Sequence, residues 1–320
     1  MYRQIKKIIL ITFILLSFTG CVEREYFDDT GAGPPISGLF KEIQGSISGT
    51  LTSEDSPYYV KDHIIVDSSS TLFIEPGVEL YFETGKTLIV KGELKAIGER
   101  FARIYFLPYR FTWEGIKILS AESETLFRFC FFKGIVSMDP HYYGSILIYG
   151  SEVVFRNCYF EKNTAHTGGA IGSLFSTAEV MNVIFNANQS QNVGGAVSAQ
   201  YSDIKLINNV FNQNKSSSLG AGVIIRNPFR TEIQNNIFFR NFYGNELSHL
   251  VYLSPDTTNY IEQYNYIATG NMDPYFISEN NFRLIFASPC RNTGNPAPEF
   301  NNVDGSRNDQ GAYGGPFGNW

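Results

Sequence analysis

Three charged residues recur at the same position of a sequence repeat and could form an acid–base site. Glu179, Lys205 and Glu232 each lie three residues before a repeated asparagine. Enzymes that cleave polysaccharides use carboxylates, lysines or arginines for proton transfer, so a lysine between two carboxylates is a candidate lyase or glycoside hydrolase site. On neighbouring β-strands the same residues would form ordinary charge pairs, each contributing less than about 1 kcal/mol. We expect this second arrangement, a structural ladder.

The remaining candidates for chemistry are sparse. Asp304, Asn308 and Asp309 offer oxygen ligands at a spacing loosely like a calcium loop, although the glycine-rich turn that contains them explains these residues without an ion. The four histidines do not have metal-ligand spacing, and no GxSxG or P-loop motif occurs. We therefore assign no metal to the histidines and predict no cofactor. These histidines are His63, His141, His166 and His249.

A repeat of about 26 residues must position all of these side chains. The motif Asn-x-x-Phe-x-x-Asn occurs four times, with its phenylalanines 25, 26 and 27 residues apart. A second motif, Gly-Gly-Ala-Ile/Val, separates the copies, and its third occurrence is degraded. Such periodicity is typical of stacked supersecondary units that cannot bury their apolar faces alone. The phenylalanines are Phe160, Phe185, Phe211 and Phe238.

The unit is β-structure, because its apolar residues alternate over short runs that are interrupted by turn residues. We predict an all-β fold, a right-handed parallel β-helix built as a single-stranded solenoid, with three strands per coil. The phenylalanines would then stack inside, with Phe211 between its neighbours, and Val210 would point outward. The first asparagine of each motif suits a left-handed corner. These asparagines are Asn157, Asn182, Asn208 and Asn235.

The FxxN and GGA-I/V motifs together resemble the repeats of chlamydial polymorphic outer-membrane proteins, and more broadly those of bacterial right-handed parallel β-helix proteins. The resemblance covers about a third of the chain. The strand pattern from Leu72 to Ile116 is also similar to the opening coils of bacterial β-helix proteins. This resemblance implies the fold and a surface or adhesin-like role, and it implies no catalytic residue.

The loops between the two motifs predict a polar edge on which successive coils stack. Such an edge suits recognition of a glycan or a protein, although it also suits solubility alone. The candidate residues are His166, Gln189, Gln191, Asn192, Lys215 and Ser216.

The N-terminus predicts export. Basic residues precede a short apolar run, and Phe18-Thr19-Gly20-Cys21 resembles a bacterial lipobox. We predict a lipoprotein signal peptide at 1–20 and a lipid on Cys21, which would anchor the protein in the outer membrane or at the cell surface. An ordinary secretory peptide is the alternative. The tether at 21–45 is acidic, which fits either a surface-export signal or a solvated linker.

The rest of the chain is divided into N-terminal capping coils at 46–120, regular coils at 121–270 and a C-terminal cap at 271–320. Cys130 and Cys158 occupy equivalent positions in adjacent coils and could be bridged or remain buried thiols. The net charge of −6 and the lack of a basic patch exclude nucleic acid as a partner.

These observations predict a surface-anchored, non-catalytic β-helix lipoprotein that binds a glycan or a partner protein. A polysaccharide lyase or related carbohydrate-active enzyme of the cell envelope is the alternative.

Overall fold

The computed structural model describes residues 40–141, 143–253 and 259–320. These residues form a parallel β-solenoid of about eight turns, as the repeat predicted. No helix among them is both long enough and apolar enough to cross a membrane. Beyond the strands, a short 3-10 helix spans Pro298–Phe300.

Each regular coil contributes one strand to each of four faces, which we name sheets 1 to 4 in chain order after the GGA motif. The sequence predicted three strands per coil, and the fourth is a strand of only two residues in the loop after FxxN. Sheet 1 contains β6 (Thr87–Val90), β9 (Gly115–Leu119), β13 (Ile146–Tyr149), β17 (Ile171–Leu174), β21 (Val197–Gln200), β25 (Val223–Arg226) and β30 (Leu250–Leu253). Sheet 2 contains β2 (Gly49–Leu51), β4 (Thr71–Ile74), β7 (Glu93–Ile97), β10 (Thr125–Arg128), β14 (Glu152–Arg156), β18 (Thr177–Met181), β22 (Asp203–Ile207), β26 (Arg230–Gln234) and β31 (Tyr260–Gln263).

The other two faces complete the coil. Sheet 3 contains β5 (Glu79–Phe82), β8 (Ile104–Pro108), β11 (Cys130–Lys133), β15 (Tyr159–Glu161), β19 (Ile184–Asn186), β23 (Val210–Asn212), β27 (Ile237–Phe239) and β32 (Tyr266–Ile267). Sheet 4 contains β12 (Val136–Ser137), β16 (Thr164–Ala165), β20 (Gln189–Ser190), β24 (Lys215–Ser216), β28 (Phe242–Tyr243) and the antiparallel β29 (Glu246–Leu247).

At the N-terminal end, one longer strand, β3, joins sheets 1 and 3. The first half of β3 (Tyr58–Val66) pairs with β5 and its second half pairs with β6. Strand β1 (Lys41–Ser46) pairs in parallel with β3. Residues 49–119 therefore continue the same stacked sheets as the regular coils.

The interior is held by an aromatic stack at the register that the repeat predicted. Phe211 is fully buried, and its ring centroid lies 4.8 Å from that of Phe185 and 4.7 Å from that of Phe238. Phe160 and Phe132 extend the stack toward the N-terminus. The neighbouring inward column, from Phe155 through Val180, Leu206 and Ile233, is also fully buried.

Corners of the coils are set by left-handed residues and glycines. The four asparagines predicted at a corner have φ between 54° and 60°. Gly194 has φ of 68°, and a Cβ added to Gly195 would lie 2.2 Å from the carbonyl oxygen of Ala221 on the next coil. The GGA motif therefore provides both a left-handed turn and a close approach of backbones.

The last asparagine of each motif forms a buried hydrogen-bonded ladder. Asn188 donates from Nδ2 to Asn214 Oδ1 (3.1 Å) and to the carbonyl oxygen of Phe160 (3.0 Å). Its own Oδ1 accepts from the backbone N–H of Asn163 at 3.1 Å. The ladder continues to Asn241. Polar side chains thereby satisfy the backbone at a corner that water does not reach.

The C-terminal segment folds back along the outside of the solenoid, where the sequence predicted a closing cap. After the antiparallel pair β33 (Phe276–Ser278) and β34 (Asn281–Leu284), the chain passes the corner asparagines in reverse order. Asn235 accepts a hydrogen bond from the backbone N–H of Asn295 in this tail. The other three corner asparagines donate to backbone carbonyl oxygens of the tail: Asn208 to Asp309, Asn182 to Ala312 and Asn157 to Phe317.

This tail covers Val210, which the sequence predicted to point outward. Val210 faces outward from sheet 3, yet it is fully buried in a second apolar cluster with Ile184, Ile237, Ala312 and Trp320. The period of the strand gave its direction correctly. The covering segment lies about 100 residues later in the sequence, so the repeat alone could not reveal it.

Candidate functional site

The predicted acid–base trio stands together on the outer face of sheet 2. Glu179 pairs in register with Lys205, which pairs with Glu232, and all three residues are half-buried. Among the described residues, no ion pair within 4.0 Å joins Lys205 to either carboxylate. Glu232 instead accepts a 2.8 Å hydrogen bond from Gln234. With Arg230, the trio lines a shallow depression of about 110 Å³.

The predicted polar edge stacks as expected, with Gln189 of β20 beside Lys215 of β24. Gln189, Gln191, Asn192 and Lys215 are exposed, whereas His166 is half-buried. Ser216 is buried and donates to the carbonyl of Ser218. The loop is braced by Thr167, whose hydroxyl lies 3.5 Å from Asn192 Nδ2. Most of this edge is thus accessible to a partner.

The weak calcium candidates form hydrogen bonds with other groups of the protein. Asp304 accepts from the N–H and hydroxyl of Ser306. Asn308 is buried and bonds Asn208, while Asp309 accepts from the N–H of Asn292. No group of three or more His, Cys, Asp or Glu side chains gathers as a metal site within the described ranges.

Of the four histidines, His249 alone is buried in the described structure. Its Nε2 lies 2.8 Å from the carbonyl oxygen of Ala268, and its Nδ1 lies 3.1 Å from the amide nitrogen of Asn241. The ring is therefore neutral, donating from Nε2 and accepting at Nδ1. Burial lowers the pKa of His249, because it disfavours the charged imidazolium.

The cysteines of adjacent coils are buried free thiols. Cys158 donates to the carbonyl of Arg156 at 3.3 Å, and Cys130 to that of Arg128 at 3.5 Å. Burial raises the pKa of Cys130 well above the usual value for a thiol. The predicted lipid anchor at Cys21 and the acidic tether lie outside the described residues.

The corner between sheets 1 and 2 carries an exposed aromatic ladder that the sequence interpretation missed. Phe175 and Tyr201 occupy equivalent left-handed positions, with φ of 53° and 48°. Their rings stack with centroids 5.2 Å apart and planes 3° apart, and Tyr149 meets Phe175 edge-on at 6.2 Å. Phe175 is 52% exposed and Phe229, at the same corner, is 63% exposed.

A column of buried serines holds the backbone of this corner through hydrogen bonds. Ser176 accepts from the N–H of Ser151 at 3.2 Å, and Ser202 accepts from the N–H of Ser176 at 3.2 Å. Each of these serines also donates to the carbonyl oxygen two residues earlier. The signal in the sequence is an aromatic or glycine followed by serine once per coil, at 150–151, 175–176 and 201–202.

Beside the ladder lies an open groove of about 440 Å³ with an acidic lining. Its carboxylates come from Glu122, Glu124, Glu152 and Asp203, and Phe175 and Phe229 form its apolar part. No lysine or arginine is among the lining residues. Asp203 Oδ1 is buried and has no hydrogen-bond partner in the described protein. Repeated aromatic and acidic side chains can bind an elongated ligand, so we regard this groove as the candidate site.

Comparisons with known proteins are limited. No protein-family model matches the chain. One stretch of 60 residues is 40% identical to the protein bark beetle of Drosophila melanogaster, covering 19% of this chain and 2% of that protein. The chain thus spans a small fraction of the relative that it matches. No solved structure matches.

Proposed function

We propose that this chain is a non-catalytic binding protein that presents the outside of a rigid β-solenoid to an elongated ligand, a glycan or a partner protein. The observation that carries the proposal is the aromatic corner, where Phe175 and Tyr201 repeat at one coil spacing beside an open groove. Exposed aromatic side chains supply large contact area at little conformational cost, which suits recognition. A shallow groove leaves bound molecules in water, which suits binding better than catalysis.

Retention on immobilised polysaccharides and on extracted envelope proteins tests this proposal. We expect Phe175→Ala to weaken retention, because the substitution removes the central exposed ring of the ladder. Gln189→Ala, on the polar edge of sheet 4, is the matched control on another exposed face. If only Gln189→Ala weakens retention, the polar edge is the binding surface and the aromatic corner is not.

Surface anchoring is part of the proposal. The basic residues, apolar run and Gly20-Cys21 support a lipid on Cys21 as the connection to the outer membrane or cell surface. Cys21→Ser should release the protein from the membrane fraction. Unchanged partitioning of this variant would remove the anchor from the account.

A second candidate function is a polysaccharide lyase that uses the trio on sheet 2. The adjacency of Glu179, Lys205 and Glu232 in one depression favours it. A lyase would produce unsaturated sugar with new ultraviolet absorbance, and Lys205→Ala would abolish that activity. Our proposal expects no such product from wild-type protein on any polyuronate.

A further inference from the structure

We propose that Cys130 and Cys158 form a disulfide bond that links two adjacent coils when the protein folds in an oxidising environment. The bond goes beyond the proposed binding function, because it concerns the covalent state of the interior and involves no ligand. The buried free thiols described above are the reduced form of the same pair.

The two cysteines stand at one position of adjacent coils. Phe131 of β11 pairs in parallel register with Tyr159 of β15, so the residues just before them, Cys130 and Cys158, are also neighbours. Residues in register on adjacent parallel strands lie ~4.8 Å apart. This separation falls within the range of roughly 4.4–6.8 Å between Cα atoms that a disulfide bond spans. Both side chains lie in the interior cluster, and the Cys158 thiol is a hydrogen-bond partner of the Cys130 thiol.

Later coils show that side chains at this position meet from one coil to the next. The same column continues through Val183 to Asn209 and Asn236. Nδ2 of Asn209 donates to Oδ1 of Asn236 at 2.9 Å, which is a direct contact between two coils. A bond between Cys130 and Cys158 therefore takes, in the earlier coils, the place that amide hydrogen bonds take in the later ones.

Oxidation of the pair removes only weak interactions. Each thiol reaches backbone carbonyl oxygens at 3.3–3.5 Å, and the S–H group is a weak donor. The third buried cysteine does not compete for either partner. Cys290 lies in the second apolar cluster on the outer side of sheet 3, whereas Cys130 and Cys158 lie in the interior cluster.

The bond forms by thiol–disulfide exchange with a small disulfide oxidant such as glutathione disulfide. The thiolate of one cysteine attacks a sulfur of the oxidant, which forms a mixed disulfide and releases one thiol of the oxidant. The thiolate of the other cysteine then attacks the cysteine sulfur of the mixed disulfide and releases the second thiol. The two cysteines lose two protons and two electrons, and the oxidant is reduced to two thiols.

Burial requires this exchange to take place before the coils close. In the folded protein both cysteines are almost completely inaccessible to solvent, and burial raises the pKa of Cys130 well above its usual value. Because the thiolate is the reactive form, exchange in the folded protein is slow in either direction. The state that is set during folding is therefore retained. Export, which the N-terminal signal predicts, would place folding in an oxidising compartment.

Refolding of the full chain in two glutathione buffers tests the inference. A Cys21→Ser background leaves Cys130, Cys158 and Cys290 as its only cysteines. This parent protein is unfolded in urea with reductant and refolded in excess glutathione disulfide or in excess reduced glutathione, and circular dichroism checks folding in both. We expect alkylation in denaturant to modify only Cys290 after oxidising refolding and all three cysteines after reducing refolding. After the oxidising treatment, tryptic peptides 129–133 and 157–162 should be recovered as one linked species.

Cys158→Ser in the same background is the matched control, and its two remaining cysteines should be alkylated after either treatment. The urea midpoint of the oxidised parent should fall when reductant is added, whereas that of Cys158→Ser should not change. Alkylation of all three cysteines in the parent after oxidising refolding, or linkage of Cys290 to either partner, overturns the inference. Parent protein that is folded first in the reducing buffer should stay reduced after transfer to glutathione disulfide. Equally rapid bridging there would overturn the requirement that the bond form during folding.

Discussion

Two flanks of the same solenoid carry outward-facing apolar residues, and one flank is covered whereas the other is exposed. On sheet 3, Ile184, Val210 and Ile237 are sealed beneath the C-terminal segment. At the corner of sheets 1 and 2, Phe175 and Phe229 remain exposed beside a groove. The tail shows that this chain can cover an outward apolar column with its own residues. An aromatic corner that it leaves open is therefore a place to expect a ligand.

The interior is the same beneath both flanks, because every regular coil repeats the same buried residues. The phenylalanine stack and the asparagine ladder run beneath both flanks. Substitutions in the interior should therefore destabilise the fold as a whole, whereas substitutions on the flanks should separate covered from open surface.

The largest effect on stability is expected in the aromatic stack, which lies beneath both flanks. Phe211→Ala should lower the free energy of unfolding by about 3–5 kcal/mol, because it leaves a cavity between two rings that the solenoid cannot close. Urea denaturation measures this change. A loss below 1 kcal/mol would show that the coils do not depend on the stack.

The asparagine ladder should come next. Asn188→Ala should cost about 3 kcal/mol, because it removes an acceptor for the N–H of Asn163 and a donor to the carbonyl of Phe160 in a buried corner. The exposed Gln189→Ala, one residue later, is the control for urea denaturation. Equal stability of the two variants would contradict a role for the ladder.

The sealed flank should be more sensitive than the open one. Val210→Ala should cost about 2 kcal/mol, because its two lost methyl groups are fully buried beneath the tail. Phe175→Ala removes a larger side chain from a half-exposed site and should change stability by less than about 0.5 kcal/mol. A costlier Phe175→Ala would mean that the open corner is structural.

A smaller effect should appear as a pH dependence at the C-terminal end of the asparagine ladder. Because the pKa of His249 is lowered in the folded protein, the unfolded state binds a proton more readily, and stability should fall as the pH drops through about 6.5. The fall should level off below the folded pKa. Unfolding curves at several pH values measure the slope, which His249→Gln should reduce. An unchanged slope in the variant would exclude His249 as its source.

The sequence predicted the parts of the fold that the repeat encodes. The 26-residue period determines where the strands, the corners of the coils and the phenylalanine stack lie. The position of Phe211 and the left-handed φ of Asn182 therefore followed from the local pattern alone. The covering tail did not follow, because its contact with Val210 joins distant segments without a repeated motif. The strand period predicts which way a side chain points, and only the tertiary structure shows what lies there.

The candidate site was harder to predict for a related reason. Phe175 and Tyr201 are equivalent, but the coil before them has glycine at that position, so the column looks irregular in the sequence. The lining carboxylates Glu122 and Asp203 come from different coils and become neighbours only through stacking. Glu179, Lys205 and Glu232 were conspicuous because they share one offset, and the structure places them side by side in a small depression on the outer face of sheet 2.

Thiol labelling of single introduced cysteines tests the contrast between the two flanks most directly. In a Cys21→Ser background the native thiols Cys130, Cys158 and Cys290 are buried, so Val210→Cys and Phe175→Cys each report one flank. We expect rapid labelling at position 175 in the native protein and protection at position 210 until the protein unfolds. Equal rapid labelling at both positions would show that the tail does not cover sheet 3.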